Sequence, residues 1–584
     1  MTQPSRPLSE RLRDHCRHLY PDDVVARIVP QIIAMVDDGA AHHKGAKTPV
    51  LDERSVLLIT YGHTLQRPDE TPLQTLRQFI DQHLPEMSYV HILPFFPYSS
   101  DDGFSVIDYL MVDPALGTWA DIAALGEDRA LMFDFVLNHI SRESVWFADY
   151  VSNHPPGNQY FIELDPDTDV REVVRPRSQA LLTPIYTRRG INHVWATFSP
   201  DQIDLNYANP DVLLDMISIF ITYLNKGASL TRLDAVAFLW KTLGTRCIHL
   251  PQTHEVVKLL RTINDAVRPG SLLITETNVP HEENLSYFGN VIEHPEQPGE
   301  YIGDEAHLVY QFALPPLILY TMNRGNADLL TNWAQSLAPP PPGCTFLNFT
   351  ASHDGIGLRA LEGILPEHEI ASLIDSMQQF GGYVSMKANA DGTDSPYEIN
   401  ISYFDAMMGT RRGPDSLQIE RFLCAQSIML VLQGLPAFYI HSLLGTPNDQ
   451  RGVEVTGRLR SINRKRWQWD ELEQVLETPH GAQHLVHHEL RRRIRIRQQY
   501  PAFSPSSAQK IHDLDSRLFI VQRGNGEESV WCVCNTTAQD VELPLVKILH
   551  QMEGQALDLL TEQHHALEKS VTLLPYQTMW LTFE

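Results

Sequence analysis

Two apolar patterns alternate along the chain. Short, nearly unbroken apolar runs occupy 55–60, 89–93, 130–136, 228–234, 271–276, 345–350 and 435–440. Runs of this kind predict strands buried on both faces, as in parallel sheets. Between them, apolar positions recur at helical spacing over 71–83, 115–125, 210–225, 252–267, 314–323, 326–337 and 418–432, which predicts amphipathic helices. Strand–helix alternation sustained this long predicts an α/β fold. Polar, chemically active residues close several of the strands at their C-terminal ends, the arrangement of a (β/α)8 TIM barrel.

Four regions depart from that rhythm. Apolar residues from Leu12 to Val36 fall near helical spacing, and Pro21-Asp22-Asp23 marks the start of a second helix. Residues 1–50 therefore read as an N-terminal helical extension. Residues 141–197 hold prolines at 155, 156, 166, 176 and 184 without clear periodicity. They predict a subdomain inserted after strand three, over the barrel mouth. Residues 366–400 predict a helix followed by Gly/Asn/Asp-rich turns. A charged helix is expected near 482–499. From 508 the pattern becomes short and alternating (518–523, 530–535, 541–545, 571–574, 579–583), so 508–584 predicts a C-terminal antiparallel β-domain. The barrel itself is assigned to 51–140 and 198–500.

Composition narrows the partners. The 584 residues are 43% hydrophobic and 20% charged, with a net charge of −26. That balance disfavours nucleic acid and anionic membrane surfaces. A local arginine cluster could still bind a small anion. The six cysteines lack zinc spacing and read as buried thiols, the Cys532-Val533-Cys534 pair sharing one face of a strand. No apolar run is long enough to span a bilayer, and residues 1–10 lack a signal core. The expectation is a cytoplasmic protein.

The chemistry gathers at Thr231-Arg232-Leu233-Asp234-Ala235. In a strand, Arg232 and Asp234 lie on one face. A buried pair of charges is costly unless it has a use, and Arg232 beside Asp234 is expected to keep that carboxylate ionised. Three more apolar runs end in an acid or a histidine: Asp134-Phe135-Val136-Leu137-Asn138-His139, Ile274-Thr275-Glu276-Thr277 and Ala351-Ser352-His353-Asp354. Cleaving a glycosidic bond with retention requires two carboxyls about 5–5.5 Å apart. Neighbouring barrel strands are about 4.8 Å apart, so Asp234 and Glu276 could face each other across such a bond. Partial desolvation behind Leu272-Leu273-Ile274 would suit Glu276 to act as an acid.

In order and spacing, the four stretches resemble the signature regions of the α-amylase superfamily. The resemblance implies that Asp234 is the nucleophile, Glu276 the acid/base and Asp354 the third acid. It implies that His139 and His353 donate to sugar hydroxyls. Asp101 and Arg460 would pin the far edge of a terminal glucose, Phe104 and Phe198 would wall it, and Gln202 and Arg232 would face it. Finer matches over about 55–500 resemble the sucrose phosphorylase branch: Ser99-Ser100-Asp101-Asp102-Gly103-Phe104, Arg175-Pro176-Arg177, Gly244-Thr245-Arg246-Cys247 and His353-Asp354-Gly355-Ile356-Gly357.

Pro396-Tyr397-Glu398-Ile399-Asn400 and Thr275-Glu276-Thr277-Asn278-Val279-Pro280-His281 depart from the sucrose enzymes. Together with Trp240-Lys241 and the N-terminal extension, they look closer to the glucosylglycerate-cleaving phosphorylases of that branch. This implies inorganic phosphate as co-substrate, glucosylglycerate and glycerate as small-molecule partners, and neither cofactor nor metal. Tyr397 and Glu398 would then lie in the acceptor loop. Arg177 is the expected cation for the anionic acceptor, with Lys387 and Arg359 as further candidates. Rival readings are a phosphorylase of sucrose or sucrose 6'-phosphate, a hydrolase or transglucosidase, and a catalytically inactive sugar-binding barrel.

Overall fold

A computed structural model describes residues 6–42, 50–295, 297–389, 393–548 and 554–583. Eight parallel strands close into a barrel: β1 (Leu57–Thr60), β2 (Tyr89–Ile92), β3 (Ala130–Val136), β4 (Ala228–Asp234), β5 (Leu272–Thr275), β6 (Leu308–Tyr310), β7 (Thr345–Phe349) and β8 (Leu435–Tyr439). They neighbour one another in sequence order, and β8 closes onto β1. β1, β7 and β8 are buried at every position, because helices sheathe the outside and side chains fill the inside. The sheathing helices include α1 (Pro72–His83), α2 (Pro210–Asn225), α3 (Pro251–Val267), α4 (Leu314–Arg324) and α5 (Gln418–Val431). Four of them (α1, α2, α3 and α4) open with Pro in the first turn, where the missing N–H costs nothing.

The register places the chemistry. Arg232 of β4 lies beside Asp134 of β3, and Leu233 lies beside Thr275 of β5. The Glu276 amide donates to the Leu233 carbonyl at 3.1 Å, which carries the ladder one residue past β5. Asp234 and Glu276 therefore leave neighbouring strands at the same C-terminal rim.

The N-terminal segment forms helices Leu8–Leu19 and Asp22–Ala41. They lie against α2 and α3. His15 bonds Glu255 at 2.6 Å and Thr262 at 3.0 Å, and a Cβ on Gly39 would meet Ile221 at 2.6 Å. At the other end of the chain, a six-stranded antiparallel sheet runs in the order 509–512, 518–523, 530–535, 578–583, 555–558, 563–566. Its strands alternate between two cores. Phe519, Val521, Cys532 and Cys534 join the barrel core, while Leu518, Ile520, Trp531 and Val533 pack with the strand pair 541–544 and 570–573. The two thiols thus share the barrel-facing side, as the period of two requires.

Three local expectations need correction. β6 lay unread, because its three apolar residues sit between His307 and Gln311. The turns expected after helix Glu367–Gln379 are a β-hairpin, Tyr383–Ala388 with Asp394–Asn400, to which Ile356–Gly357 adds a third strand. The helix expected from 115 begins at Trp119 behind a capping box of Thr118 and Asp121. The stretch between Ser141 and Thr197 holds helix Val145–Ser152 and the hairpin 182–187/190–195, flanked by 163–164. Among the described residues, no helix is long and apolar enough to cross a membrane.

Candidate active site

A cavity opens at the C-terminal rim of the barrel. Fourteen of the residues singled out from the sequence line it, joined by Ala235 and Asn278. Barrel strands and the turns just beyond them supply Arg232, Asp234, Glu276, His353 and Asp354. The β2 loop brings Asp101 and Phe104. His139 and Gln202 come from a short antiparallel pair, 139–141 with 202–204. Arg177 comes from the stretch after β3, and Tyr397 and Glu398 from the second strand of the hairpin.

The floor is an interlocked set of charges. Arg232, almost fully buried, donates to Asp134 and, at 2.6 Å, to Asp234. Asp134 also holds His91 at 2.7 Å. Burial alone would raise Asp134, but Arg232 and His91 outweigh it and bring it down to about 2. Each partner satisfies the next, so the cluster survives desolvation.

At the rim, burial pushes the carboxyls of both Asp234 and Glu276 above the ordinary range. For Asp234 this corrects the expectation that Arg232 would by itself hold it ionised. Desolvation and the nearby charges of Glu276 and Asp134 outweigh the guanidinium. Two crowded carboxyls of this kind titrate as a pair that retains one proton. Their partners localise it. Asp234 accepts from a cation, whereas among the described residues Glu276 accepts only from the neutral Ala235 amide, at 3.0 Å. The proton therefore belongs on Glu276 and the charge on Asp234. Ala235 delivers its N–H from a left-handed conformation, φ 51°, which strains a non-glycine residue. Nothing in the sequence pattern marked that contact. Asn278 could have been found as the position two beyond Glu276.

Asp354 is ionised. Burial would raise it, but Arg460 at 2.5 Å and the neighbouring His353 and Arg232 drive it well below the usual range. Arg460 is itself clamped by both Glu398 oxygens, at 2.8 and 2.9 Å. Glu398 thus acts through Arg460. The adjacent Asp102 takes Arg464, at 2.5 Å. His353 stacks flat on Phe104, with centroids 4.7 Å apart, and burial pushes it down to about 3, so it is neutral. Its Nδ1 is buried without a hydrogen-bond partner among the described residues. His139 is also driven neutral by burial, and its Nε2 lies 2.9 Å from the Phe104 carbonyl. Behind it, Lys241 bonds Asp204 at 2.7 Å and Asn138 at 2.8 Å, which braces the His139–Gln202 wall.

The cations expected near the acceptor divide. Arg177 lines the cavity and lies over the Tyr397 ring at 5.5 Å. Lys387 and Arg359 do not reach it. They line a neighbouring, outer cavity, where Lys387 pairs with Glu362 at 3.1 Å.

The family described as "Alpha amylase, catalytic domain" matches residues 85–328. The chain is 42% identical to the glucosylglycerate phosphorylase of Escherichia coli (strain K12), over 98% of this chain and 100% of that protein. It is 44% identical to the glucosylglycerate phosphorylase of Allomeiothermus silvanus, over 91% of each. Among solved structures, sucrose 6F-phosphate phosphorylase from Thermoanaerobacter thermosaccharolyticum superposes with a TM-score of 0.71 at 24% identity. It covers 91% of this chain and 100% of that one.

Proposed function

The chain belongs to the glucosylglycerate phosphorylases, within the sucrose phosphorylase branch of the α-amylase superfamily, and from that premise we propose how its residues divide the work. The reaction is the reversible phosphorolysis of 2-O-α-D-glucosyl-D-glycerate to α-D-glucose 1-phosphate and D-glycerate, with retention. Asp234 attacks the anomeric carbon while Glu276 protonates the departing glycerate oxygen. A β-glucosyl ester forms on Asp234. Phosphate enters where glycerate left and gives its proton to Glu276 as its oxygen bonds the same carbon. Asp354, held ionised by Arg460, faces the positive charge that develops on the ring. Every proton and bond in the cycle is handled by these carboxyls and the phosphate, so the reading includes no cofactor and no metal.

The observation that carries this reading is one cavity holding both machineries. The Asp234–Glu276 pair shares its walls with Arg177 and Tyr397. Glycerate and phosphate are both anions, and a guanidinium can grip either in a fork. Prebinding raises the effective concentration of phosphate at the anomeric carbon, which is how it prevails over water. His139, Gln202, Asp101, Phe104, Phe198 and His353 are assigned to the glucose ring, and Glu398 to positioning Arg460. We place the enzyme in the cytoplasm, in keeping with six free, mostly buried thiols.

The test is release of glucose 1-phosphate from glucosylglycerate, sucrose and glucosylglycerol, with and without phosphate. Phosphate-dependent turnover should be fastest on glucosylglycerate. A preference for sucrose would overturn the acceptor, and turnover indifferent to phosphate would overturn the phosphorylase reading.

A further inference from the structure

The outer cavity, of about 480 Å³, adjoins the reaction cavity, and Tyr397 lines both. Among the described residues, five cations, Arg171, Arg175, Arg246, Arg359 and Lys387, line it against a single acid, Glu172. That is unexpected on a chain of net charge −26. Three of the five have carboxylate partners: Arg171 with Asp169 at 2.7 Å, Arg246 with Glu283 at 3.8 Å and Lys387 with Glu362 at 3.1 Å. Among the described residues, Arg175 and Arg359 have no carboxylate within ion-pair distance. Both are half-buried and converge on the same space. Arg175 stands two positions from Arg177, which lines the inner cavity and lies over Tyr397.

We propose that this outer cavity is a second anion site, a staging site for small oxyanions, in which Arg175 and Arg359 hold phosphate or glycerate before either passes Tyr397 to Arg177. This rests on the phosphorylase reading and adds a step to it. Each half-reaction must exchange one anion for another at a single inner site. An acidic protein repels both anions at long range. A cleft lined by one sign of charge concentrates counter-ions and raises capture rates by about 10- to 1,000-fold, an effect that salt weakens. Two guanidiniums without carboxylate partners supply that field at the entrance. No bond is made or broken there.

The test uses the full-length enzyme with α-glucosyl fluoride as donor, so that forming the glucosyl-enzyme requires no anionic leaving group beyond fluoride. The Arg175→Gln/Arg359→Gln double variant should lose about tenfold in kcat/KM for phosphate. Its kcat at saturating phosphate and its phosphate-free hydrolysis should stay within about twofold of the parent. The fall of kcat/KM with rising salt should flatten. In the synthetic direction, kcat/KM for glycerate should drop as well, while glycerol, a neutral acceptor of similar size, should be used as before. An unchanged phosphate and glycerate dependence overturns the staging site. So does an equal loss in the phosphate-free hydrolysis, which marks structural damage; Arg359→Lys, which keeps the charge, should then fail to rescue. A parent enzyme that ignores phosphate refutes the phosphorylase reading itself, a result distinct from either.

Discussion

The two halves of the reaction cavity are built differently. The half assigned to glucose is anchored on the barrel. Asp134, Arg232 and Asp234 sit on adjacent strands in fixed register, and Arg232 is bonded to both acids. Asp354 is tied through Arg460 to Glu398. The acceptor half is made of excursions: Arg177 from the stretch between β3 and β4, and Tyr397 from a hairpin hung between β7 and β8. Its contact is a guanidinium over a ring at 5.5 Å, looser than the ion pairs opposite. On the proposed assignment a rigid rim fixes one chemistry on one sugar, while the excursions select the partner that receives it. That division matches the general habit of barrel enzymes, whose loops vary over a constant frame.

The largest effect should come from the rigid half. Asp234→Ala should lower kcat by at least about 10,000-fold with every acceptor, water included. Arg177→Ala should act on one half only. KM for phosphate should rise on the order of 100-fold, while phosphate-free hydrolysis of α-glucosyl fluoride changes little. Loss of hydrolysis along with phosphorolysis in Arg177→Ala would erase the distinction between the halves.

How much of this could be read beforehand follows the same line. β3 and β4 were legible over their whole lengths, Ala130–Val136 and Ala228–Asp234, because strands buried on both faces leave continuous apolar runs. The acids at their ends were legible by position. Leu308–Tyr310 was too short to stand out, since its neighbours' ladders define it more than its own pattern does. The hairpin 383–400 was hidden by its turn-rich composition and by solvent on one side. The upward push on the Asp234 carboxyl was missed because the sequence shows Arg232 as its neighbour but neither its burial nor the nearby charges of Glu276 and Asp134. The Ala235–Glu276 contact depends on a backbone conformation that an alanine does not announce.

Acid should reach the rigid half through Asp134. Its carboxyl is depressed to about 2 in the fold, against about 3.9 unfolded. A depressed carboxyl contributes stability that is complete above the unfolded value and is lost as pH falls through the folded one. That contribution is between about 2 and 3 kcal/mol. Urea midpoints should therefore fall between pH 4 and pH 2, and less steeply in Asp134→Asn, which starts less stable. Parallel curves for the two proteins would remove Asp134 from the account. The smallest effect is expected at the seam between the halves. Glu398→Gln loosens the Arg460 clamp and should raise KM for the glucoside by about tenfold with little change in kcat. A larger loss in kcat would make Glu398 part of the chemistry.

The pairing of Asp234 with Glu276 is tested most directly by trapping. Glu276→Gln keeps the shape of the site and removes its proton, and α-glucosyl fluoride needs little acid help to react. Incubated together without phosphate and followed by intact-mass and peptide mass spectrometry, the variant should gain one glucosyl unit, located on Asp234 and discharged when phosphate is added. No adduct, or an adduct on Asp354 or Glu398, would contradict the account.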